Sequence, residues 1–220
     1  MKIFATSYVH GNRVIMDKLN EAARLCDMLL VCGDIGNKEI YGKTIIEFSA
    51  HQRKDAEYLD GALKDLPVPA RFILGNDDWF EFSGESYLDK PETAHGYEFI
   101  PFEFVLITPF NTNREVNDNK LRYELAKLNV SDKTVIVAHT PPFARGDKLY
   151  NGGRCGSRAV YDWIEHEQPR VWLCGHSHED NSAHEIGGTK VFNCACDHTE
   201  DSLRGWLIDL DTPEYERIAI

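Results

Sequence analysis

Two histidines one residue apart, His176 and His178, follow a short apolar run at residues 171–174 that we expect to form a buried strand. In an extended or turning backbone, residues i and i+2 project to the same side. Since neutral imidazole is the commonest metal-binding side chain, the two rings could bind one metal ion or two neighbouring ions. A surface turn carrying two solvated histidines is the alternative, and this pair alone does not decide between them.

Four other apolar runs end in the same way. Residues 2–6, 28–32, 72–74 and 135–138 are followed by His10, by Asp34, by Asn76 and Asp77, and by His139, in that order. Ligands of α/β proteins bind outside the carboxyl ends of the strands. Because five strands deliver polar side chains to such an edge, the sequence predicts one shared site.

Composition narrows the class of protein. With 220 residues, the chain is expected to form a single domain, residues 1–220, with a substantial buried core. The net charge of −12 disfavours broad electrostatic binding to duplex nucleic acid. A small phosphorylated substrate in a locally cationic, metal-lined pocket stays compatible with this charge.

The compartment is predicted from what the sequence lacks. It has no apolar tract long enough to span a bilayer and no signal-peptide pattern at its start, and its six cysteines show no disulfide-framework spacing. We therefore expect a cytoplasmic protein with reduced thiols and no membrane partner. A homo-oligomer is compatible with the sequence.

The hydrophobic pattern alternates between strand and helix in the first part of the chain and is rich in strands later. Helices are predicted at about 13–26 and 121–128, at 41–66 as one long or two shorter helices, and after an N-cap at Ser157. Residues 99–100 and 104–107 suggest a hairpin, and Gly187-Gly188 predicts another. This pattern favours a mixed pair of sheets covered by helices.

The polar strand ends resemble the motifs of a known family, the calcineurin-like metallophosphoesterases. In chain order the matching blocks are Tyr8-Val9-His10-Gly11-Asn12, Gly33-Asp34, Gly75-Asn76-Asp77-Asp78, His139-Thr140-Pro141-Pro142 and Gly175-His176-Ser177-His178. Residues 156–176 further resemble the small Icc-related branch of predicted phosphoesterases. The resemblance implies an α/β fold, a four-layer αββα sandwich of two mixed sheets flanked by helices.

The resemblance also implies a metal-dependent phosphoesterase that hydrolyses a small phosphodiester or phosphomonoester by a metal-bridged hydroxide. Carried over by position, a first metal ion would bind His10, Asp34 and His178. A second would bind Asp34, Asn76, His139 and His176, with Asp34 as the bridge. Mixed nitrogen and oxygen ligands suit two divalent transition metal ions such as Mn, Fe, Zn or Ni.

The first departure from the family pattern is Tyr8, which stands where the family has an aspartate. A phenol ligates well only as phenolate and has a reference pKa of about 10. Three outcomes are open: Tyr8 ligates an Fe(III)-like ion, it points away and leaves the first site weakened or empty so that only one ion binds, or the loop supplies a substitute.

The second departure is Asp77, where many members carry a histidine that protonates the leaving group. Asp77 can act as a general acid only if burial and like charge raise its pKa. A hydrogen-bonding loop residue is the alternative. Together with Asn76 and His139, Asp77 completes the predicted catalytic set.

Several residues near the motifs are candidates for substrate binding, with a solvated loop as the alternative. They are Asn12, Asn37, Arg145, Arg154 and Arg158. Cys194 and Cys196 could form a thiolate site, but a lone Cys-x-Cys is a poor zinc signal and predicts a structural role. The histidines at 51, 95, 166, 184 and 198 are expected at the surface.

A rival function follows from the two departures. With Tyr8 and Asp77 in place, the chain could be a degenerate member that binds a phosphorylated ligand or partner with little turnover. A nuclease is disfavoured by the acidic charge and by the lack of a basic stripe.

Overall fold

The computed structural model describes residues 1–39, 42, 44–197 and 199–220. Within them the helices are Arg13–Ala23 (α1), Ile45–Lys64 (α2), Asp118–Leu125 (α3) and Arg158–Glu167 (α4). The strands are Lys2–Thr6 (β1), Met28–Cys32 (β2), Ala70–Ile73 (β3), Glu92–Ala94 (β4), Tyr97–Phe102 (β5), Val105–Leu106 (β6), Glu115–Val116 (β7), Thr134–Ala138 (β8), Val171–Cys174 (β9), Ala183–Ile186 (β10), Thr189–Asn193 (β11), Arg204–Asp209 (β12) and Tyr215–Ala219 (β13).

The strands form two large sheets. The five-stranded sheet has the order β13-β12-β1-β2-β3, with β1, β2 and β3 parallel and β12 and β13 antiparallel. The six-stranded sheet has the order β10-β11-β9-β8-β5-β4, in which the four central strands are parallel and both edge strands are antiparallel. A small parallel pair, β6 with β7, lies apart from both.

The side chains of each central strand alternate between two cores, because successive residues of a strand face opposite sides of the sheet. In β2, Leu29 and Val31 pack toward α1 and α2, whereas Leu30 packs between the two sheets. In β8, Val135 packs between the sheets and Ile136 faces α3 and α4. The layers are therefore helices, sheet, sheet, helices, and the predicted four-layer sandwich is confirmed.

Side-chain caps begin all four helices. Asn12 accepts a hydrogen bond from the N–H of Ile15 to start α1, and Thr44 with Glu47 forms a capping box at α2. Asn117 caps α3, and Ser157 caps α4 as the sequence predicted.

Three predictions of local structure need correction. The helix α1 ends at Ala23 instead of about residue 26, and α3 covers Asp118–Leu125 instead of 121–128. The predicted helix at 41–66 is one helix, Ile45–Lys64, which was one of the two alternatives, while residues 41 and 43 lie outside the described part of the chain. The strand containing residues 99–100 forms its hairpin with β4, because His95 and Gly96, at φ +50° and +80°, form a tight turn between them. Residues 105–106 instead pair in parallel with β7. No helix of the described chain has the length and apolarity needed to cross a membrane.

Candidate active site

The loops after five strands meet at one edge of the sandwich, and their backbone is held in unusual conformations. Tyr8, His10, Asp34 and His176 all have positive φ, between +40° and +67°. Such conformations are costly for residues with a Cβ and occur most often at functional sites. Gly75 is needed beside them, because a Cβ there would lie 2.2 Å from Oδ1 of Asp34.

Asp34 is the centre of the site and is buried. Its Oδ2 lies 3.1 Å from Nε2 of His139 and 3.7 Å from Nε2 of His10. Burial by itself would raise the pKa of Asp34, but the neighbouring histidines, with His139 foremost, hold it well below its usual range. Asp34 is therefore a carboxylate.

Backbone carbonyls fix the two imidazoles that face Asp34. Nδ1 of His139 lies 2.7 Å from the carbonyl oxygen of Cys32, and Nδ1 of His10 lies 2.9 Å from that of Gly36. A ring that donates its Nδ1 proton to a carbonyl presents Nε2 as the ligand atom. Both rings are thus oriented with Nε2 toward the carboxylate.

Thr112 orients the amide of Asn76. The Nδ2 group of Asn76 donates to Oγ1 of Thr112 at 2.7 Å, and Thr112 in turn donates to Glu115. Because the NH₂ group is held by Thr112, Oδ1 of the amide points away from Thr112. This oxygen is buried without a hydrogen-bond partner in the described residues.

His176 lies beside His139, with the ring centroids 5.3 Å apart and the planes at 72°. Loss of solvent, together with the nearby His139, lowers the pKa of His176 to about 4. The ring is therefore neutral at physiological pH, which is the form that binds a metal ion.

Asp77 is partly buried next to Asp34. Its backbone N–H donates to Oδ1 of Asp34 at 3.1 Å. Burial, followed by the charge of Asp34, raises the pKa of the Asp77 carboxyl to about 6. Part of the Asp77 population therefore keeps its proton near neutral pH, as a general acid must.

A metal ion fits the residues of the second predicted position. Nε2 of His139, like Oδ1 of Asn76, is buried and makes no hydrogen bond within the described residues. The side chains of Asp34, Asn76, His139 and His176 offer a carboxylate, an amide oxygen and imidazole nitrogens, without thiolate, which is a donor set suited to a divalent transition metal. Asp34 also belongs to a different group, in which one ligand atom from each of His10, Asp34 and Asp77 lies within 4.8 Å of the others.

The first predicted metal position differs from the second because an aromatic side chain, Tyr8, contacts its ligands. The Tyr8 ring lines the cavity in contact with both of its predicted imidazoles, 4.2 Å from the His10 ring and 4.9 Å from the His178 ring, centroid to centroid. Burial and nearby carboxylates, Asp34 foremost, raise the pKa of Tyr8 well above its ordinary value, so the side chain is a neutral phenol and a poor ligand. Its hydroxyl accepts a hydrogen bond from Nζ of Lys38, a residue that the sequence analysis did not select.

Asp78 is a second residue that sequence reasoning did not select. Its buried carboxylate accepts hydrogen bonds from the N–H groups of Ile35, Gly36 and Gly75, at 2.9, 2.8 and 2.7 Å. It thus joins the loop after β2 to the loop after β3. The signal was present, because Asp78 is the last residue of the Gly-Asn-Asp-Asp block.

Asn193 has a similar role on the other side of the site. Its Nδ2 donates to the carbonyl oxygens of Gly146 and Ser177, at 2.7 and 2.8 Å, and so ties the His176 loop to the loop after β8. The neighbouring Cys194 and Cys196 are buried thiols whose pKa values burial raises, in keeping with a structural role.

Of the five predicted substrate contacts, only Arg154 lines the cavity at the site, where its Nη1 also pairs with Asp147 at 2.5 Å. Arg145 and Arg158 lie against a separate small pocket. Asn12 caps α1, and Asn37 accepts from the N–H of Glu39 within its own loop. These four side chains were selected because they are close to the motif residues in sequence. The loops that carry them direct them away from the cavity.

The histidines that were predicted at the surface differ in their exposure. His95 and His166 are exposed, whereas His51 and His184 are half-buried, and His198 lies outside the described residues.

A cavity of about 1260 Å³ opens above these side chains. Its floor carries Tyr8, Asp34, Asn76 and His176, and its rim is largely apolar. The rim includes large side chains with high exposed fractions: Ile45 at 55%, Ile107 at 61%, Tyr150 at 79% and Phe110 at 81%. The cavity can therefore accept a polar group at its floor and an apolar group at its mouth.

Comparison with known families agrees with this arrangement. The model of the calcineurin-like phosphoesterases matches residues 1–180. The chain belongs to this family. The matched range contains all five motif blocks, which lie between residues 8 and 178.

Relatives and solved structures extend the match. MJ1162, an uncharacterized protein of Methanocaldococcus jannaschii, is 25% identical over 199 residues, which cover 88% of this chain and 87% of the relative. The crystal structure of TT1561 of Thermus thermophilus aligns with a TM-score of 0.62 at 16% identity, over 98% of this chain and 97% of that one. A dimetal phosphatase from Danio rerio aligns with a TM-score of 0.60 at 12% identity, over 88% and 86%. At such identities the solved structures establish the fold.

Proposed function

We propose that this chain is a metal-dependent phosphoesterase that hydrolyses a small phosphodiester or phosphomonoester. One observation carries the proposal: the site brings Asp34, Asn76, His139 and His176 together, with Oδ1 of Asn76 and Nε2 of His139 buried and without hydrogen bonds in the described chain. Buried polar atoms are nearly always satisfied. A divalent ion such as Mn, Fe, Zn or Ni would satisfy both.

Each side chain has a distinct role in this proposal. Asp34, Asn76, His139 and His176 would hold the ion. When bound, such an ion acts as a Lewis acid on a phosphoryl oxygen and lowers the pKa of a coordinated water molecule. Asp34 would supply the negative charge that anchors the ion. The carbonyl of Cys32 keeps His139 in the tautomer whose Nε2 is free to bind the ion.

Asp77 would protonate the leaving oxygen. It lines the cavity beside Asn76, and its raised pKa, about 6, keeps part of the population protonated near neutral pH. A carboxyl that transfers a proton to the departing alkoxide makes a poor leaving group a better one. Arg154, which lines the cavity, would contact a phosphate oxygen.

The apolar rim suggests the kind of ester. A substrate that places its phosphate near Asp34 extends toward Ile107 and Phe110, so its organic group is expected to be apolar or aromatic in part. The substrate class in this proposal is thus a small phosphoester with a partly apolar organic group.

Release of p-nitrophenol from bis-p-nitrophenyl phosphate tests the proposal. The purified protein is assayed with Mn, Fe, Zn and Ni in turn, beside the Asp34→Asn variant. Metal-dependent release that falls more than about 100-fold in the variant is the expected result, because loss of even an outer-shell partner costs 10–100-fold. Equal release by both proteins would indicate a contaminating enzyme and would refute the assignment.

Binding without turnover is the second candidate, and Tyr8 is the observation that favours it, since a neutral phenol replaces a metal ligand of the family. Saturable binding of a phosphorylated ligand, with no product formed under any of the four metals, would establish this candidate instead of the first.

A further inference from the structure

Lys38 has an unusual position for a lysine. Its Nζ lies 4.0 Å from the centre of the Tyr8 ring and donates to the Tyr8 hydroxyl, and its side chain lines the cavity together with Asp34. An ammonium over the face of an aromatic ring is stabilised by the ring's quadrupole. The phenol therefore holds the cation by both its ring and its oxygen.

The charges around Lys38 are negative. Burial lowers the pKa of Lys38, and the charges of Asp34, Asp77, Glu179 and Asp197 oppose this by favouring its ammonium form. A buried carboxylate such as Asp34 needs a compensating cation nearby. In a two-metal site, a metal ion at the first position would provide that charge.

The first position does not fit a metal ion in this chain. The side chain that would complete its ligand set is a phenol whose hydroxyl already accepts a hydrogen bond from Nζ of Lys38, and its ring contacts the rings of both His10 and His178. The second position keeps its full donor set, because none of Asp34, Asn76, His139 and His176 departs from the residues that the family pattern implies there.

From this geometry we propose that Lys38, held by Tyr8, supplies the positive charge of the absent first metal ion, so that the centre binds a single divalent ion. The ion binds at the second position, against Asn76 and His139. This inference rests on the metal-dependent function proposed above but does not require turnover. It makes Lys38 and Tyr8 a paired replacement, in which a fixed ammonium takes the place of an exchangeable cation.

Metal stoichiometry tests the proposal. The protein is loaded with Mn²⁺, desalted, and analysed by elemental mass spectrometry, by electron paramagnetic resonance and by anomalous diffraction from a crystal. We expect one ion per chain, an uncoupled Mn²⁺ spectrum, and an anomalous peak beside Asn76 and His139. Two ions with a spin-coupled spectrum, a single ion beside Tyr8 and His10, or no bound ion would each overturn the proposal.

Variants sharpen the test. The double variant Tyr8→Asp with Lys38→Met restores a carboxylate and removes the ammonium, so it should bind a second ion and give a coupled spectrum. Lys90→Met, a change of an exposed lysine far from the motif residues in sequence, is the matched control and should keep one ion. A folded double variant that still binds one ion would contradict the role of Lys38. If that variant does not fold, the spectrum and the anomalous peak of the natural sequence decide.

The result of the metal-stoichiometry test can be separated from the result of the hydrolysis test of the proposed function. One ion at the second position without hydrolysis of any phosphoester would refute the enzyme and leave this inference intact. Hydrolysis by a protein that binds two ions would do the reverse.

Discussion

Nε2 of His139 lies 3.1 Å from Oδ2 of Asp34, although the two residues follow strands of different sheets. Asp34 comes after β2 of the five-stranded sheet, and His139 comes after β8 of the six-stranded sheet. The contact therefore exists only when the sheets pack face to face through the core that includes Leu30 and Val137. Folding of the sandwich and assembly of the site are one event.

Thr112 is predicted to act through Asn76. Thr112→Val removes the acceptor of the Asn76 Nδ2 group at nearly constant volume, so the amide is no longer fixed with Oδ1 toward the site. We expect metal affinity to fall about 10–100-fold, as for other partners of ligands. Titration calorimetry with Mn²⁺ measures this change. Thr93→Val, at an exposed position of β4, should leave the affinity unchanged. Equal affinities for all three proteins would exclude the positioning role of Thr112.

Asp77 is predicted to matter most for esters that leave poorly. Asp77→Asn should slow hydrolysis of an alkyl phosphoester by about 100-fold or more, while p-nitrophenyl esters, whose leaving group needs little protonation, should change far less. The acid form of Asp77 is lost as the pH rises through its pKa of about 6, so the alkyl-ester rate of the natural sequence should decline above that pH. The pH profile of the variant should lack this decline. Parallel losses on both kinds of ester would argue for a structural role of Asp77.

Phe110 is predicted to contact the organic group of the substrate. Its side chain is 81% exposed at the cavity rim, and burying an aromatic side chain contributes about 1.5–3 kcal/mol. Phe110→Ser should therefore raise KM for bis-p-nitrophenyl phosphate about tenfold or more, with a smaller effect on methyl p-nitrophenyl phosphate. Tyr123→Ser, which changes another exposed aromatic side chain outside the cavity lining, is the control. The same KM shift in the control would remove the reason for assigning Phe110 to the substrate.

Asp78 is predicted to be a stability residue of the site loops. Asp78→Asn replaces one acceptor oxygen by an NH₂ group that faces a backbone donor, leaving at least one buried N–H unsatisfied. Each such group costs about 1–3 kcal/mol, so the free energy of unfolding should fall by at least that amount. Urea denaturation measures it, with the exposed Asp89→Asn as control. A variant as stable as the control would show that the three hydrogen bonds contribute nothing.

Asp60 is predicted to make stability depend on pH away from the site. Burial would raise its pKa, but Nζ of Lys64 at 2.8 Å and the N–H of Ser86 at 2.8 Å outweigh burial and hold the pKa below its usual value. Its stabilising contribution is thus complete above the unfolded-state pKa, about 3.9, and is lost as the pH falls through the lower folded-state pKa.

The corresponding measurement is urea denaturation between neutral and acid pH. Asp60→Asn should lower the free energy of unfolding by about 1 kcal/mol at neutral pH, and the difference from the natural sequence should shrink toward zero in acid. The exposed Asp132→Asn should show no such convergence. A difference that stayed constant across this pH range would disprove the charge-dependent contribution.

Features that depend on neighbouring residues were predicted well from the sequence. The polar residues after the five apolar runs meet at one edge, because strand direction alone decides which end of a sheet they reach. The helix cap Ser157 was also predicted, since capping involves a side chain and an N–H only three residues away.

Features that depend on how loops turn were not predicted. Arg145 and Arg158 face a separate pocket although they follow the His139 block closely, and Asn12 is used in capping a helix. Lys38 was not selected, because a lysine in a loop after Asp34 carries no sequence signal that distinguishes it from a solvated one.

The sequence alone determined that two mixed sheets are covered by helices and that the polar residues after five strands lie at one edge, because hydrophobic alternation and strand direction are local properties of the chain. Only the tertiary structure decided which side chain contacts Tyr8 at the first predicted metal position. Tyr8 and Lys38 lie in separate loops after different strands, and nothing but the packing of β1 against β2 brings the ammonium onto the phenol. The interaction between charged groups that are distant in sequence depends on their distance in space, and a local sequence pattern does not contain that distance.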